Sequence, residues 1–256
     1  MNNQLPLISC ICVTREKPSL LKRAIDCFLA QTYPNKELVI LYEDDDYATE
    51  ELVGAGFPDN SSIRLSKVPA YPKTALGELR NLAVRSAGGE FICQWDDDDW
   101  YHSRRLEQQY EGLFSDGRHG SVIVQWIVFD AITSTAYLSH VRLWEGSILC
   151  RKNILQLKAY ADKTVGEDTK TIEYLAQMDH LHFLTGLPGL YIYVYHGSNT
   201  WNYDHWSAIF RFSTELSKEE SSVVEDILNG KYSVHEGSLL LDGILEQSFS
   251  APIVVP

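Results

Sequence analysis

Four consecutive carboxylates, Asp96 to Asp99, follow the apolar stretch Phe91, Ile92, Cys93 and Trp95. Adjacent negative charges repel, so such a run beside a folded core needs positive charge delivered to it. A hard divalent cation is one supply: Mg²⁺ and Mn²⁺ take oxygen ligands, often one or two carboxylates together with the phosphates of a substrate. A second acidic run, Glu43 to Asp46, also closes an apolar stretch, KELVILY at 36–42. Two further acids, Glu167 and Asp168, stand where a helical pattern begins. His196 ends LYIYVYH (190–196), and a neutral imidazole there suits Mn²⁺ better than Mg²⁺, although a lone histidine is as often structural.

The elements that must position these groups alternate in type. LISCICV (7–13) is a strand-length apolar run, and PSLLKRAIDCFLAQ (18–31) has helical spacing with Pro18 in its first turn. KELVILYEDDD (36–46) is a second strand, followed by a short helical stretch and a weaker strand at SIRLSKV (62–68). A helix over TALGELRNLAVRSA (74–87) stops at Gly88 and Gly89, and EFICQW (90–95) is the next strand. Apolar strands separated by helices predict a mostly parallel sheet covered on both faces. Both acidic runs then lie at the carboxyl edge, where open α/β sheets bind ligands, and they are expected to converge on a cation. Farther on, SVIVQWIVFDAI (121–132) reads as one strand and SILCRKNILQL (147–157) as strand into helix. EDTKTIEYLAQM (167–178) reads as a helix with Glu167 and Asp168 in its first turn, with further helices near 205–216 and 218–229.

The 256 residues are 45% hydrophobic and 11% aromatic, which suits a sizeable core rather than disorder. A formal charge of −13 argues against nucleic acid or anionic membranes as general partners. No apolar run approaches membrane-span length, and MNNQLPLISC lacks a signal-peptide pattern, so the expected protein is soluble and cytoplasmic. Peripheral association with the inner face of a membrane, and homo-oligomerisation, stay open. Five scattered cysteines do not form a disulfide framework, and Cys10 and Cys12 read as small hydrophobes on one strand face.

In their order and spacing, CVTREKPSLLKRAIDCFLAQTYPNKELVILYEDDD, ALGELRNLAVRSAGGEFICQWDDDDWYHSRRLEQQ and GEDTKTIEYL resemble the inverting family 2 glycosyltransferases of the GT-A fold. The resemblance runs from about Leu7 to Leu175, and more loosely to Trp201. It implies an α/β nucleotide-diphospho-sugar transferase and one domain over 1–256: a nucleotide-binding half to about 100, an acceptor and catalytic half to about 201, and a C-terminal helical extension. Asp96, Asp98, Asp99, Tyr101, Leu106 and Glu107 fall on the family's aspartate motif. By the resemblance, Asp96 meets the ribose, with Asp97 beside it, and Asp98 ligates Mn²⁺ or Mg²⁺ at the diphosphate, with His196 a further contact. Thr14, Arg80 and Asn81 match the nucleoside pocket, while Val13-Thr14-Arg15-Glu16 and Tyr42-Glu43-Asp44-Asp45 depart from the usual turns. Glu43 and Asp44 compete there for one role, and Arg15 and Glu16 join the donor side. Asp168 falls on the position of the catalytic base, with Glu167 beside it. Gly146 lets the backbone approach the donor sugar, and Trp144 either stacks on a sugar or packs in the core.

The implied reaction is metal-dependent transfer from a nucleotide-sugar, UDP-sugar favoured, to a carbohydrate or glycolipid acceptor of a cell envelope. Two other readings stand beside it. A sugar nucleotidyltransferase would carry a glycine-rich basic loop after the first strand, and TREKPS (14–19) has no glycine. A catalytically inactive GT-A module would bind a nucleotide-sugar or a partner without turnover. Trp126, Trp201, Tyr203 and Trp206 form either an acceptor platform or packing, and SAPIVVP (250–256) either a docking tail or a disordered end.

Overall fold

A computed structural model of the chain describes residues 5–54 and 61–248, so the proposed tail role of SAPIVVP lies outside the described residues. The first half follows the expected alternation: β1 (Ile8–Val13), α1 (Pro18–Leu29), β2 (Lys36–Glu43), α2 (Tyr47–Gly54), β3 (Ile63–Val68), α3 (Leu76–Ser86) and β4 (Phe91–Gln94). Next come β5 (Trp100–Tyr101), α4 (Arg105–Ser115), β6 (Gly120–Ile123), β7 (Ile127–Asp130), β8 (Thr135–Leu138), β9 (Leu149–Arg151) and α5 (Lys152–Leu155). The last are α6 (Thr169–Gln177), β10 (Leu181–Leu184), β11 (Tyr191–Tyr195), α7 (Tyr203–Phe212), β12 (Thr214–Glu215), α8 (Lys218–Leu228) and α9 (Val234–Ser248).

Seven strands form the main sheet in the order β10-β6-β9-β4-β1-β2-β3, parallel except for β9. Its strands are apolar on both faces because helices cover both. Ile8, Cys10, Cys12, Leu38 and Ile40 pack with Leu21, Ile25 and Phe28 of α1. Ile11, Val39 and Leu41, one residue out of phase, pack with Leu79 and Ala83 of α3 and Ile172 and Leu175 of α6. A second sheet, β12-β8-β7-β11-β5, shares the first of these cores.

The expected single strand over 121–132 is two strands in different sheets. The chain leaves the main sheet after Ile123 and starts the second at Ile127. Buried Trp126 holds the crossing, its backbone N–H donating to the Ser139 hydroxyl at 3.0 Å. A continuous apolar run cannot signal such a break, because both halves are buried. Glu167 and Asp168 also differ from expectation: Asp168 is the N-cap of α6 and Glu167 precedes it, so no acid lies in the first turn. All five cysteines are buried and unpaired. Among the described residues no helix is long and apolar enough to cross a membrane.

Two contacts aim the ends of these elements. Arg105 is wholly buried against the rings of Tyr101, Tyr191 and Trp95 at 4.6, 5.0 and 5.1 Å. It donates to the carbonyls of Gln94 and Ser147 at 3.1 and 3.2 Å, which pins the end of β4. On the other face, the Asn81 amide ties α3 to the segment before α6 by pairing with both the N–H and the C=O of Tyr160. Gly77 makes that approach close: a Cβ there would sit 1.8 Å from the Ala161 carbonyl oxygen and 3.0 Å from Cβ of Glu167. We expect Gly77→Ala to destabilise the fold by ~1–3 kcal/mol, as overpacking against backbone does. Urea unfolding reads this directly, and an unchanged midpoint would show the 159–167 segment to be free to move away.

Candidate active site

The parallel run of β1, β2 and β4 sends both acidic runs to one sheet edge, as expected. A cleft of about 430 Å³ opens there, within the range of small-molecule sites. It collects Thr14, Arg15, Glu43, Arg80, Asp96, Asp97, Asp98, Gly146, Glu167 and Asp168 from the expected residues. Glu16, Asp44, Asn81 and His196 do not line it, although His196 reaches Asp98 from behind the cleft wall. The Glu16 side chain faces solvent, Asp44 accepts from the Ala70 N–H at 2.9 Å, and Asn81 holds Tyr160.

The aspartate run is not one charge cluster but two interleaved pairs. Asp97 and Asp99 are buried and Asp96 and Asp98 half-buried, across the turn that joins β4 to β5. Asp99 points away from the cleft, accepting from the Tyr191 hydroxyl and, at 3.0 Å, from the Val194 N–H. Asp97 accepts from the Thr14 hydroxyl at 2.6 Å. Burial and the neighbouring Asp98 charge raise its pKa to about 7 against the pull of Lys17. Asp96 takes Arg80 at 2.9 Å and the Gln94 amide at 3.3 Å. Asp98 receives Lys17 at 2.8 Å and His196 Nε2 at 3.1 Å on one oxygen, Oδ2. Burial alone would raise the Asp98 pKa, but the His196 hydrogen bond and the Lys17 charge outweigh it and hold it well below the usual carboxylate range.

The other acidic run is neutralised separately. Arg15 bonds to Glu43 and, at 2.8 and 3.0 Å, to Asp45, and Lys73 reaches the same Glu43 oxygen as Arg15. Asp46 caps the Glu16 and Thr49 N–H groups at 2.8 and 3.0 Å. The two runs converge on one cleft as expected, and each also has side-chain cations of its own. Glu43 is 2% exposed, and its second oxygen, Oε1, is buried without a partner among the described residues.

Arg80 joins the aspartate run to the segment before α6. It is 7% exposed, contacts Asp96 at 2.9 Å and Glu167 at 3.2 Å, and keeps Nη1 buried without a partner among the described residues. Asp168 stands beside it at the cleft, its pKa raised by burial, lowered by Arg80 and raised again by Glu145. Trp144 is mostly core, stacked on Trp126 at 4.9 Å, yet one edge reaches the cleft beside Gly146. Trp126 and Trp206 are fully buried, so neither serves as a platform. Tyr203 is exposed and does not line the cleft, whereas Trp201 does, stacked on His205 at 4.2 Å.

A divalent cation fits here only with help from a ligand. Asp98 Oδ2 and His196 Nε2 lie 3.1 Å apart, and Ser198 orients the imidazole through Nδ1 at 2.9 Å, as an outer hydrogen bond does for a ligating histidine. Among the described residues no group of three or more histidine, cysteine or acidic side chains is arranged to hold a metal ion. Two protein donors completed by substrate phosphates is an ordinary arrangement for Mg²⁺ or Mn²⁺. The sequence reading missed Lys17 and Lys73. Lys17 carried one signal, a lysine at the N-cap of α1, where helices prefer Ser, Thr, Asp or Asn.

Burial raises the Glu167 pKa from 4.5 to about 7, with Arg80 opposing and Asp168 adding. Between pH ~4.5 and ~7 the folded protein then holds a proton that the unfolded chain releases, so this group makes stability fall as pH rises through that window. We expect Glu167→Gln to flatten the decline, measured as urea-unfolding free energy at intervals across it. Equal slopes in the two proteins would show that Glu167 does not titrate there.

Solved structures of the same shape place this cleft in context. The chain superposes on a mannosyltransferase from Pyrobaculum calidifontis in complex with GDP-Man and Mn²⁺, with a TM-score of 0.61, 16% identity, and coverage of 95% of this chain and 70% of that one. It is also similar to S. aureus TarS 1-349 in complex with UDP (TM-score 0.59, 16% identity, 95% and 72% covered). The same protein in complex with UDP-GlcNAc gives a TM-score of 0.60 at 13% identity, with 94% and 81% covered. No curated protein sequence matches. Residues 9–173 match the family described as Glycosyl transferase family 2, a span that holds both acidic runs, Arg80 and the Glu167–Asp168 pair. The chain belongs to glycosyl transferase family 2 and is a glycosyltransferase of the GT-A fold.

Proposed function

We propose that the chain is an inverting glycosyltransferase that moves a sugar from a nucleoside diphosphate, UDP favoured, to an acceptor hydroxyl, with Asp168 as the base. One observation carries the reading: the end of β4 and the start of α6 bring Asp96 and Asp168 to one cleft, with Arg80 bridging Asp96 to Glu167, the residue before Asp168. On the donor side, the unpartnered Glu43 Oε1 is an acceptor for an N–H of the base, which favours Glu43 over Asp44 for that role. Asp96, with one oxygen on Arg80, accepts from ribose hydroxyls, and Arg80 Nη1 is a donor left over for the ligand. Asp97 stays behind Thr14 and sets the shape of the pocket floor. Arg15 and Lys73 hold Glu43 in place, and Gly146 leaves room for the donor beside Asp96.

Asp98 and His196 would hold Mn²⁺ or Mg²⁺, and the bound ion would supply positive charge to the leaving diphosphate. Asp168 takes the proton of the attacking hydroxyl, and its raised proton affinity suits it to that task. Glu167, paired to Arg80, fixes the approach of α6 rather than touching the reacting atoms. Trp201 lines the cleft with Asp168 and offers an apolar face to a carbohydrate or glycolipid acceptor. Family membership supports an acceptor in cell-envelope polysaccharide synthesis, and five unpaired cysteines suit a reducing, cytoplasmic setting.

Calorimetric titration with UDP, GDP, dTDP, CDP and ADP, each with Mn²⁺ and with EDTA, tests the donor. One nucleotide is expected to bind in a metal-dependent way, and Asp98→Ala to lose that dependence. Asp168→Asn is expected to keep nucleotide affinity and lose about a hundredfold or more in transfer rate, the usual scale for a general base. Normal turnover by Asp168→Asn would remove the base assignment, and a folded protein that binds none of the nucleotides would remove the donor reading.

A further inference from the structure

Lys17 breaks a local rule. It is the N-cap of α1 with no side-chain cap, and its ammonium sits at the positive end of a helix dipole, where a cation is disfavoured. What it gains instead is the aspartate run: Nζ lies 2.8 Å from Asp98 Oδ2 and 3.4 Å from Asp97 Oδ1. A rule broken at the edge of a functional cleft, with a specific compensating contact, points to a role at that cleft. The contact uses the same oxygen that faces His196, so the ammonium stands where a divalent ion on Asp98 and His196 would stand. Two cations cannot share that oxygen closely, and the other anion within reach of Lys17, Asp97 Oδ1, is a longer contact at 3.4 Å. Asp97 holds the Thr14 hydroxyl on its second oxygen, Asp96 is fixed by Arg80 and Gln94, and Asp99 by Tyr191 and Val194.

We propose that Lys17 competes with the divalent cation for Asp98, so that the metal binds tightly only together with a diphosphate that takes over the ammonium. The proposal rests on the nucleotide-sugar reading above for the identity of the diphosphate, but the competition itself is a property of the nucleotide-free protein. With the diphosphate present, its oxygens give Lys17 a second anion, and the aspartate is released to the metal. Metal and nucleotide are then coupled, each raising the affinity of the other by the same factor.

The test is Mn²⁺ binding to the full chain, followed by electron paramagnetic resonance of the free ion, without nucleotide. Lys17→Met and Lys17→Gln remove the charge, Lys17→Arg keeps it, and thermal unfolding checks that all are folded. The expected result is at least a tenfold gain in Mn²⁺ affinity for the two neutral variants, none for Lys17→Arg, and loss of that gain when Asp98→Asn is added. Unchanged or weaker affinity in the neutral variants, or no measurable Mn²⁺ binding in any of them, would overturn the competition. Adding UDP separates the two readings. If no nucleoside diphosphate binds, the donor reading fails while the nucleotide-free comparison still decides the role of Lys17.

Discussion

The Arg80 guanidinium is the contact that most of the cleft depends on. It is buried between Asp96, at the end of β4, and Glu167, just before α6, two segments about seventy residues apart in the chain. A buried cation without anions is strongly disfavoured, and so are two buried carboxylates without a cation. Each of the three therefore holds the others in place. The arrangement sets the distance from the end of β4 to the start of α6, and among the described residues it leaves one arginine N–H group unused. Removing Arg80 would leave two carboxylates facing each other without their cation, so the triad is better regarded as one unit than as two salt bridges.

Around that unit, charge is distributed rather than concentrated. A net charge of −13 is carried by a molecule whose most acidic edge is partnered residue by residue. Arg15 and Lys73 serve one run, Lys17, His196 and Arg80 serve the other, and backbone N–H groups serve Asp44, Asp46 and Asp99. The electrostatic cost of collecting acids at a sheet edge is met inside the chain, which lets the protein fold before any ligand arrives. It also means that a ligand must displace or redirect existing partners to gain contacts, and specificity follows from which partners yield.

Much of this was legible in the sequence. Near-continuous apolar strands alternating with helices announced a covered parallel sheet, and the sheet sent both acidic runs to the edge where they are found. What was not legible depended on contacts between distant residues. The choice between Glu43 and Asp44 turns on the Ala70 N–H, more than twenty residues on, which takes Asp44 away from the cleft. Asn81 matched a family position but spends its amide on Tyr160. The break at Trp126 is invisible because both flanking strands are equally apolar. Lys17 alone left a local trace, as an improbable cap, and only the structure shows what the cap was exchanged for.

The turn after β1 has a consequence of its own. Glu16 adopts φ +53°, a left-handed conformation uncommon for a side chain of its kind, and its N–H is fixed by Asp46. That single kink sends Arg15 toward Glu43 and Asp45 and Lys17 toward Asp97 and Asp98, so the residues on either side of Glu16 reach both acidic runs. A change at Arg15 or Glu43 that shifts this turn would therefore reach Asp97 and Asp98 as well, so the two acidic runs are tied through three consecutive residues of one loop.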